Sequence, residues 1–333
     1  MPEFLKLPKE ERQSILSEGA ARMGRLSNVL EKDVWVCWVL NCLFKMPEAL
    51  QMAFKGGTSL SKVYGAIARF SEDIDVTIDY RALTSVDPFG LSNTKKAQLR
   101  EELQGKVAKH VKDLVYPYFQ KQLVNEFGEG IASVEVQGGD ADQLVIRYPS
   151  AFDGGGYLAD AVRIEFGGRN VTDPQSRRAI TADLAGVFSE IEFPKAEAPV
   201  LHMERTLWEK ATLIHVACSR EPRENADRLC RHWYDLDRLY VLEAGRQALK
   251  DHGLLEDVVK HKSVFFPTKF YDSCLSGKLL LVPEGALRKQ LEADFGQMVG
   301  AGMFYTAPPK FDEILGRLSE MQSTINKARQ PRA

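Results

Sequence analysis

A glycine-rich turn followed by a short alternating strand constrains this chain more than any other feature. The stretch FKGGTSLSKVYGAIARFSEDIDVTIDY covers residues 54–80. Two adjacent glycines, Gly56 and Gly57, precede a segment at 59–69 that is predicted to be helical. Residues 74–79 then alternate apolar and polar side chains, which is the period of a strand with one buried face. The stretch therefore sets a flexible polar turn close to a strand that carries carboxylates.

The rest of the chain separates into a mixed first part and a helical second part. The pattern is mostly helical from Met203 onward, so we place a boundary near residue 200 and expect domains at 1–200 and 201–333. The helix at 28–46 is apolar on nearly every side between Val34 and Phe44, which predicts that it is buried. The other elements predicted in the first part are helices at 8–23 and 94–125 and strands at 131–137, 143–149, 161–166 and 188–193.

Composition and charge exclude several classes of protein. The net charge of -2 gives no general basic field, so any contact with nucleic acid must use a local patch. The five cysteines are scattered and form no CxxC motif, which indicates reduced thiols rather than a zinc ribbon or a disulfide framework. The N-terminal residues are charged, and the longest apolar run, at 34–44, is too short to cross a bilayer. We therefore expect a soluble cytoplasmic protein with no membrane partner.

Two aspartates at the beginning of the predicted strand, one of them just before it, point to a metal site. Asp73 and Asp75 are separated by one residue, so on a strand their side chains lie on the same face. Adjacent carboxylates repel each other unless a cation lies between them, and Mg²⁺ prefers one or two carboxylates together with substrate phosphates. The alternative is an ordinary solvated strand face.

The glycine turn before this strand has the residues of a phosphate-binding loop. Backbone N–H groups at the start of a helix bind phosphate, and glycine permits a close approach. The sequence does not match the Walker A pattern, and a capped turn with a surface lysine is the alternative. The nucleotide-binding residues predicted here are Gly56, Gly57, Thr58, Ser59 and Lys62.

A phosphate turn followed by a strand with two aspartates resembles the nucleotidyltransferase superfamily. In such folds a third metal-binding carboxylate lies on a neighbouring strand, and Glu165 in VRIEFGG fits that position. Glu165 could instead pair with Arg163 or Arg147 for structural reasons. The resemblance is closest to the AbiEii family of nucleotidyltransferase toxins from bacterial toxin–antitoxin and phage-exclusion systems. It extends to LEKDVWVCWVL (30–40), ERTLWEKATLIH (204–215), RHWYDLDRL (231–239) and DFGQM (294–298).

This resemblance implies a fold of the α/β (α+β) class, with a polymerase-beta-like core that has a mixed sheet and with a helical C-terminal domain that completes the active site. The lysine of the family's EK helix and the aspartate of its YDL helix are active-site residues, and they match Lys210 and Asp235. Lys210 would contact the triphosphate, and Asp235 would position Lys210 or contact the nucleotide. A Lys210–Asp235 salt bridge with a purely structural role is the alternative.

The segment between these two motifs is rich in arginine. A local basic patch of this kind could bind an RNA backbone. A solvated, ion-paired helix surface is an equal alternative, because Glu221, Glu224 and Asp227 are interspersed. The possible RNA contacts are Arg220, Arg223, Arg228 and Arg231.

Together these features predict a magnesium-dependent toxin that transfers nucleotides from an NTP to an RNA. Related MenT enzymes modify the 3′ ends of tRNA and so block translation, which makes tRNA the expected acceptor and an antitoxin the expected protein partner. One alternative is a transferase or kinase that modifies protein, with Ser71 as a self-modification site. The other is a nucleotide-binding regulator without catalysis, which the intact aspartate pair argues against.

Overall fold

A computed structural model of the chain describes residues 2–138, 142–152, 159–221 and 228–329. The chain divides into two compact units. Unit 1 contains Met1–Val63 and Phe70–Leu201, and unit 2 contains Tyr64–Arg69 and His202–Ala333. The short segment Tyr64–Arg69 therefore groups with unit 2, although it lies between two elements of unit 1 in the sequence.

Unit 1 is a seven-stranded sheet with helices. Its strands are β1 (Met52–Lys55), β2 (Asp73–Asp79), β3 (Ser133–Gln137), β4 (Gln143–Arg147), β5 (Ala161–Asn170), β6 (Gln175–Thr181) and β7 (Lys195–Leu201). Its α-helices are α1 (Glu3–Lys6), α2 (Lys9–Met23), α3 (Ser27–Phe44), α4 (Gly56–Lys62), α5 (Tyr80–Leu83), α6 (Asn93–His110) and α7 (Tyr116–Phe127). A π-helical turn, Val111–Val115, joins α6 to α7, and a 3₁₀ turn, Asp183–Gly186, precedes β7.

The strand order is β3-β4-β5-β2-β1-β7-β6. The pairs β2–β5 and β1–β7 are parallel, and the other neighbouring strands are antiparallel. The sheet is therefore mixed, and the predicted α/β class is confirmed. The order also places β2, which carries the two aspartates, in the middle of the sheet, where its backbone is paired on both sides.

Alternation along β2 separates an apolar face from a polar one. Ile74, Val76 and Ile78 are fully or almost fully buried, whereas Asp73 and Asp75 are half-buried. Helix α3 packs against β5 and β7, and Trp35 of α3 stacks on Tyr148 with 5.0 Å between ring centroids. Burying one large apolar side chain stabilises a fold by about 1.5–3 kcal/mol, so α3 anchors the apolar side of the unit.

Several predicted elements differ from the observed ones. Helix α4 ends at Lys62, not at residue 69, and Gly65 follows with a left-handed backbone (φ 55°), which does not continue a right-handed helix. The predicted strand at 188–193 is wrong: Phe188 and Phe193 are buried there without forming a strand. The sequence pattern does not predict strands β1, β6 and β7. The β7 sequence KAEAPVL has few β-branched residues, and its extended form depends on pairing with β1 and β6.

Unit 2 is helical in its described part, in line with the predicted pattern after residue 203. Helix α9 packs against α8, α10 and α14, and buried Trp233 of α9 donates a hydrogen bond from Nε1 to the carbonyl of Leu281 (2.9 Å). None of the helices in the described ranges is both long enough and apolar enough to span a membrane. The helices are α8 (Met203–Cys218), α9 (Arg231–Val241), α10 (Glu243–Ala248), α11 (His252–Phe265), α12 (Tyr271–Leu275), α13 (Gly285–Gly300) and α14 (Phe311–Arg329).

Candidate active site

The two aspartates lie on the polar face of β2, each beside a charged residue of the next strand. In the parallel β2–β5 pair, Asp73 is in register with Arg163 and Asp75 with Glu165. On the other side, Lys55 of β1 is in register with Asp75. Side chains in register on neighbouring strands project from the same face at a strand spacing of about 4.8 Å. Asp75 is thus flanked by one basic and one acidic residue.

Gly56 lies directly against the carboxylate of Asp75. Its backbone is left-handed, with φ 81°, and a Cβ atom at this position would overlap Oδ2 of Asp75. Only glycine satisfies both the backbone and the contact. The predicted phosphate turn and the predicted metal-binding strand are therefore brought together in space by a contact between their own residues.

The hydroxyl groups of the turn make internal hydrogen bonds. Thr58 Oγ1 donates to the carbonyl oxygen of Asp73 and lies 3.0 Å from Ser71 Oγ. Ser59 Oγ donates to the carbonyl oxygen of Gly56 (3.0 Å). Both Thr58 and Ser59 are buried. The Thr58 contact joins the start of α4 to the start of β2, and the Ser59 contact lies within the first turn of α4, so both hydrogen bonds stabilise the turn.

Lys62, at the end of α4, is held by two carboxylates. Its Nζ lies 2.5 Å from Asp33 Oδ1 and 2.8 Å from Asp183 Oδ1, and its side chain is only 6 % exposed. Burial alone would lower the pKa of Lys62, but the two carboxylates outweigh burial and raise its pKa above the ordinary value. This geometry favours a structural role for Lys62 over the predicted triphosphate contact.

The carboxylates on β2 have the donor type that suits magnesium. Asp73 and Asp75 supply hard oxygen atoms from one strand face, next to a glycine turn that allows close approach of phosphate. In the described part of the chain, no group of three or more His, Cys, Asp and Glu residues is arranged to hold a metal ion. Glu165 is the register neighbour of Asp75, and its role as a third ligand stays a prediction.

Asp235 is the centre of a buried ion-pair cluster in unit 2. Arg69 donates from Nε to Oδ1 and from Nη2 to Oδ2, both at 2.7 Å, and Lys210 Nζ lies 2.9 Å from Oδ2. The Asp235 side chain has no solvent exposure. Burial would raise the pKa of Asp235, but Arg69 and Lys210 outweigh burial and hold its pKa well below the ordinary range.

Lys210 has a second neighbour in His232. The distance from Lys210 Nζ to His232 Nδ1 is 3.5 Å. Burial and the adjacent ammonium of Lys210 keep the pKa of His232 well below its ordinary value, so the ring is neutral at pH 7. A neutral ring can accept a hydrogen bond from Lys210 at Nδ1. The Lys210–Asp235 ion pair left open by the sequence is thus present, as part of a larger cluster.

Sequence reasoning misses four residues in these two clusters: Arg69, His232, Asp33 and Asp183. Arg69 lies within the glycine–aspartate stretch, but it is 166 positions from Asp235, and no local pattern indicates that pairing. Asp33 could have been recognised from the sequence as one partner of an ion pair, because a carboxylate in a predicted buried helix requires a cationic partner.

The arginines of the predicted RNA segment lie in different local settings. The guanidinium of exposed Arg220 is 6.0 Å from the centre of the Phe270 ring, and Lys269 Nζ is 5.4 Å from the same ring. Arg228 has a left-handed backbone, and its N–H donates to Asp294 Oδ1 (2.9 Å). Arg231 begins α9, and Arg223 is outside the described residues.

A mixed sheet that carries Asp73 and Asp75 on one strand, in contact with a double-glycine turn, is the arrangement expected of a nucleotidyltransferase core. A family model described as "Nucleotidyl transferase AbiEii toxin, Type IV TA system" matches residues 38–317. The chain therefore belongs to the AbiEii family of nucleotidyl transferase toxins of type IV toxin–antitoxin systems, as its motifs predict.

The similarity to a solved structure is weaker than the match to the family model. The chain is similar to a solved structure of MenT4, a nucleotidyltransferase toxin from Mycobacterium tuberculosis H37Rv, with 17 % sequence identity and a TM-score of 0.49. That similarity covers 93 % of this chain and 89 % of the MenT4 chain. No curated protein matches the sequence. Membership of the family makes the protein a nucleotidyltransferase, with an NTP as substrate and an antitoxin as partner.

Proposed function

We propose that the protein transfers nucleotides from an NTP to an RNA acceptor, the 3′ end of tRNA, in a reaction that requires Mg²⁺. The observation that carries the proposal is the contact of Gly56 with Asp75. Phosphoryl transfer depends on positioning and charge neutralisation, and this contact joins a turn suited to phosphate with carboxylates suited to a divalent cation.

In unit 1, Asp73 and Asp75 would hold magnesium, with Glu165 on the adjacent strand as a further carboxylate. When bound, the metal supplies charge neutralisation at the phosphates and orientation of the attacking hydroxyl. The backbone N–H groups of Gly56 and Gly57 would hold the phosphates. Thr58 and Ser59 would keep that turn in shape through their internal hydrogen bonds, because both hydroxyls are already engaged.

In unit 2, Lys210 would supply the cation that contacts the triphosphate. Both carboxylate oxygens of Asp235 are already engaged by Arg69 and Lys210. We therefore assign Asp235 to positioning Lys210, rather than to direct contact with the nucleotide. His232, being neutral, can accept one N–H of Lys210 and leave the ammonium charged.

The RNA acceptor would be bound through local contacts, because the net charge of -2 offers no general attraction. Arg220 and Lys269 beside Phe270 combine positive charge with an aromatic ring, and such pairings bind single-stranded RNA through phosphate contact and base stacking. Arg223, Arg228 and Arg231 stay further candidate RNA contacts, as the sequence predicts. We place the reaction in the cytoplasm and its biological role in phage defence.

The proposal is tested by incubating the protein with labelled NTPs, magnesium, total RNA and total bacterial protein. We expect label in tRNA, and sequencing of the labelled ends would identify the added nucleotide. A labelled protein band instead would indicate a transferase or kinase that acts on proteins, with Ser71 as one site to check. No label in any fraction would indicate a nucleotide-binding regulator and would contradict the proposed activity.

A further inference from the structure

Three consecutive charged residues lie in the buried helix α3. Glu31, Lys32 and Asp33 are the only charged residues among its eighteen. Glu31 and Lys32 are 1 % and 2 % exposed, and the Asp33 side chain is 10 % exposed. Buried charges are costly unless they are paired, so each of the three needs a specific partner.

Two of these charged residues contact the two ends of the segment 62–72, which connects α4 to β2. Lys32 donates to Glu72 Oε2 (2.6 Å), and Glu72 directly precedes Asp73. Lys32 also donates to the carbonyl of Ala159 (3.1 Å). Asp33 binds Lys62 at the end of α4 (2.5 Å) and accepts a hydrogen bond from the backbone N–H of Asp183 (2.7 Å).

Glu31, the third charged residue, contacts a different part of unit 1. Glu31 accepts hydrogen bonds from Ser150 Oγ and from the backbone N–H of Ala151, both at 2.7 Å. Arg12 lies 3.9 Å from it. Glu31 is therefore as buried as Lys32 and lies on the same helix turn, but its partners are Ser150, Ala151 and Arg12 rather than Lys62 or Glu72.

We propose that Lys32 and Asp33 are positioning residues for the transfer reaction: they hold the glycine turn and the start of β2 in the arrangement that places Gly56 against Asp75. This inference rests on the proposed function of that site. Helix α3 is a suitable base because most of its other side chains are buried in unit 1, so the two ion pairs connect the site to a helix of the core.

The matched test compares Lys32→Met and Asp33→Asn with Glu31→Gln, which removes an equally buried charge from the same helix. Hydrogen exchange of backbone amides in residues 56–75 is measured first, because it does not depend on any activity. We expect faster exchange in this stretch for Lys32→Met and Asp33→Asn, and parental exchange there for Glu31→Gln.

Steady-state kinetics and NTP binding provide the second readout. For Lys32→Met and Asp33→Asn we expect kcat/KM to fall at least about 10-fold with a higher KM for NTP, because the turn that binds phosphate is less well ordered. Glu31→Gln should keep the parental kcat/KM at temperatures where all variants are folded.

The outcomes separate the two proposals. If all three variants change exchange at 56–75 and activity in proportion to their loss of stability, the charges only stabilise the fold, and the positioning role is refuted. If the parent protein transfers no nucleotide, the proposed function fails, while the exchange experiment still supports or overturns the positioning contacts. Parental exchange in Lys32→Met and Asp33→Asn would overturn them.

Discussion

At the scale of single residues, the two aspartates of β2 carry the largest expected effect on activity. Their carboxylates are isosteric with asparagine amides, so Asp73→Asn and Asp75→Asn change charge without changing shape. We expect each variant to lose at least about 100-fold in kcat/KM, which corresponds to about 2.7 kcal/mol of transition-state stabilisation. Each variant removes one of two like charges but also a charge beside Arg163 or Lys55, so the thermal unfolding temperature without metal should change little. Near-parental activity in either variant would exclude a site built on both carboxylates.

Gly56 provides a second test at this scale. A control glycine, Gly24, separates the effect of a left-handed backbone from the effect of the contact between Gly56 and Asp75. Gly56→Ala introduces a Cβ that would overlap Asp75 Oδ2 at a residue with φ 81°. Gly24, which follows α2, has φ 63°, and a Cβ added there would meet no other atom within 4 Å. We expect Gly24→Ala to cost about 1 kcal/mol of stability through backbone strain and to keep full activity.

For Gly56→Ala we expect a similar strain cost and, in addition, a large loss of transfer activity, because Asp75 must move to remove the overlap. Denaturant unfolding and initial rates of NTP turnover would be measured for both variants. Equal activities in Gly24→Ala and Gly56→Ala would mean that the contact between Gly56 and Asp75 has no part in catalysis.

At the scale of elements, Asp235 joins three segments of unit 2: Tyr64–Arg69, α8 and α9. Asp235→Asn keeps the shape of the side chain but removes the carboxylate that the buried Arg69 and Lys210 share. Breaking a buried ion pair in this way costs about 3–5 kcal/mol. Asp272→Asn on α12 is the control, because Asp272 is exposed and should have little effect. Urea unfolding of both variants at neutral pH measures the difference.

The dependence of this effect on pH has a definite sign. The pKa of Asp235 is lower in the folded protein than its ordinary value of 3.8, because the charges of Arg69 and Lys210 outweigh burial. A carboxyl group of this kind contributes stability that is fully present above 3.8 and is lost as the pH falls through the folded-state pKa. The stability difference between the parent and Asp235→Asn should therefore shrink as the pH is lowered below 3.8. If the stability difference between the parent and Asp235→Asn stays constant at every pH at which both proteins fold, the Asp235 carboxyl group is not ionised in the folded protein.

The elements also differ in how well the sequence predicts them. Strand β2 and the aspartates on it follow from alternation over adjacent residues, and they are found within one residue of the predicted span. Strand β7 could not be predicted, because alanine and proline give little local preference and its conformation depends on partners from distant parts of the chain. The same limit applies to the candidate site: Gly56 and Asp75 are local in sequence, whereas Arg69 and Asp235 meet only through folding.

At the scale of the whole molecule, membership of a toxin family predicts an effect on growth. Expression of the chain without its antitoxin should slow bacterial growth, because the family to which it belongs is one of toxins. Asp73→Ala should restore growth at the same level of expression. Growth curves with quantified protein levels are the measurement. Harmless parental expression at high yield would count against a toxin, although the enzymatic activity would still have to be measured separately.

The second prediction at this scale is that contacts with the acceptor and with the nucleotide can be changed independently. Arg220→Glu and Lys269→Glu reverse charge beside the Phe270 ring, on exposed side chains whose replacement leaves the core intact. If this region binds RNA, each variant should weaken tRNA binding and make its salt dependence shallower by about 0.7–0.9 in log–log slope for each lost phosphate contact.

Lys210→Ala should instead weaken NTP binding with every acceptor, and Lys210→Arg should not restore it fully, because a guanidinium does not replace a compact ammonium.

Binding of NTP and of tRNA is measured separately for each variant over a series of salt concentrations. Arg246→Glu is the control, because Arg246 lies on the exposed surface of α10 and tests for a general effect of charge reversal. We expect Arg246→Glu to bind tRNA like the parent, Arg220→Glu and Lys269→Glu to lose affinity for tRNA alone, and Lys210→Ala to lose affinity for NTP. Equal losses for both ligands in all variants would contradict this division of roles. Parental tRNA binding by Arg220→Glu and Lys269→Glu would make the region around Phe270 an ordinary solvated surface, since a true phosphate contact cannot be reversed in charge without a loss of affinity.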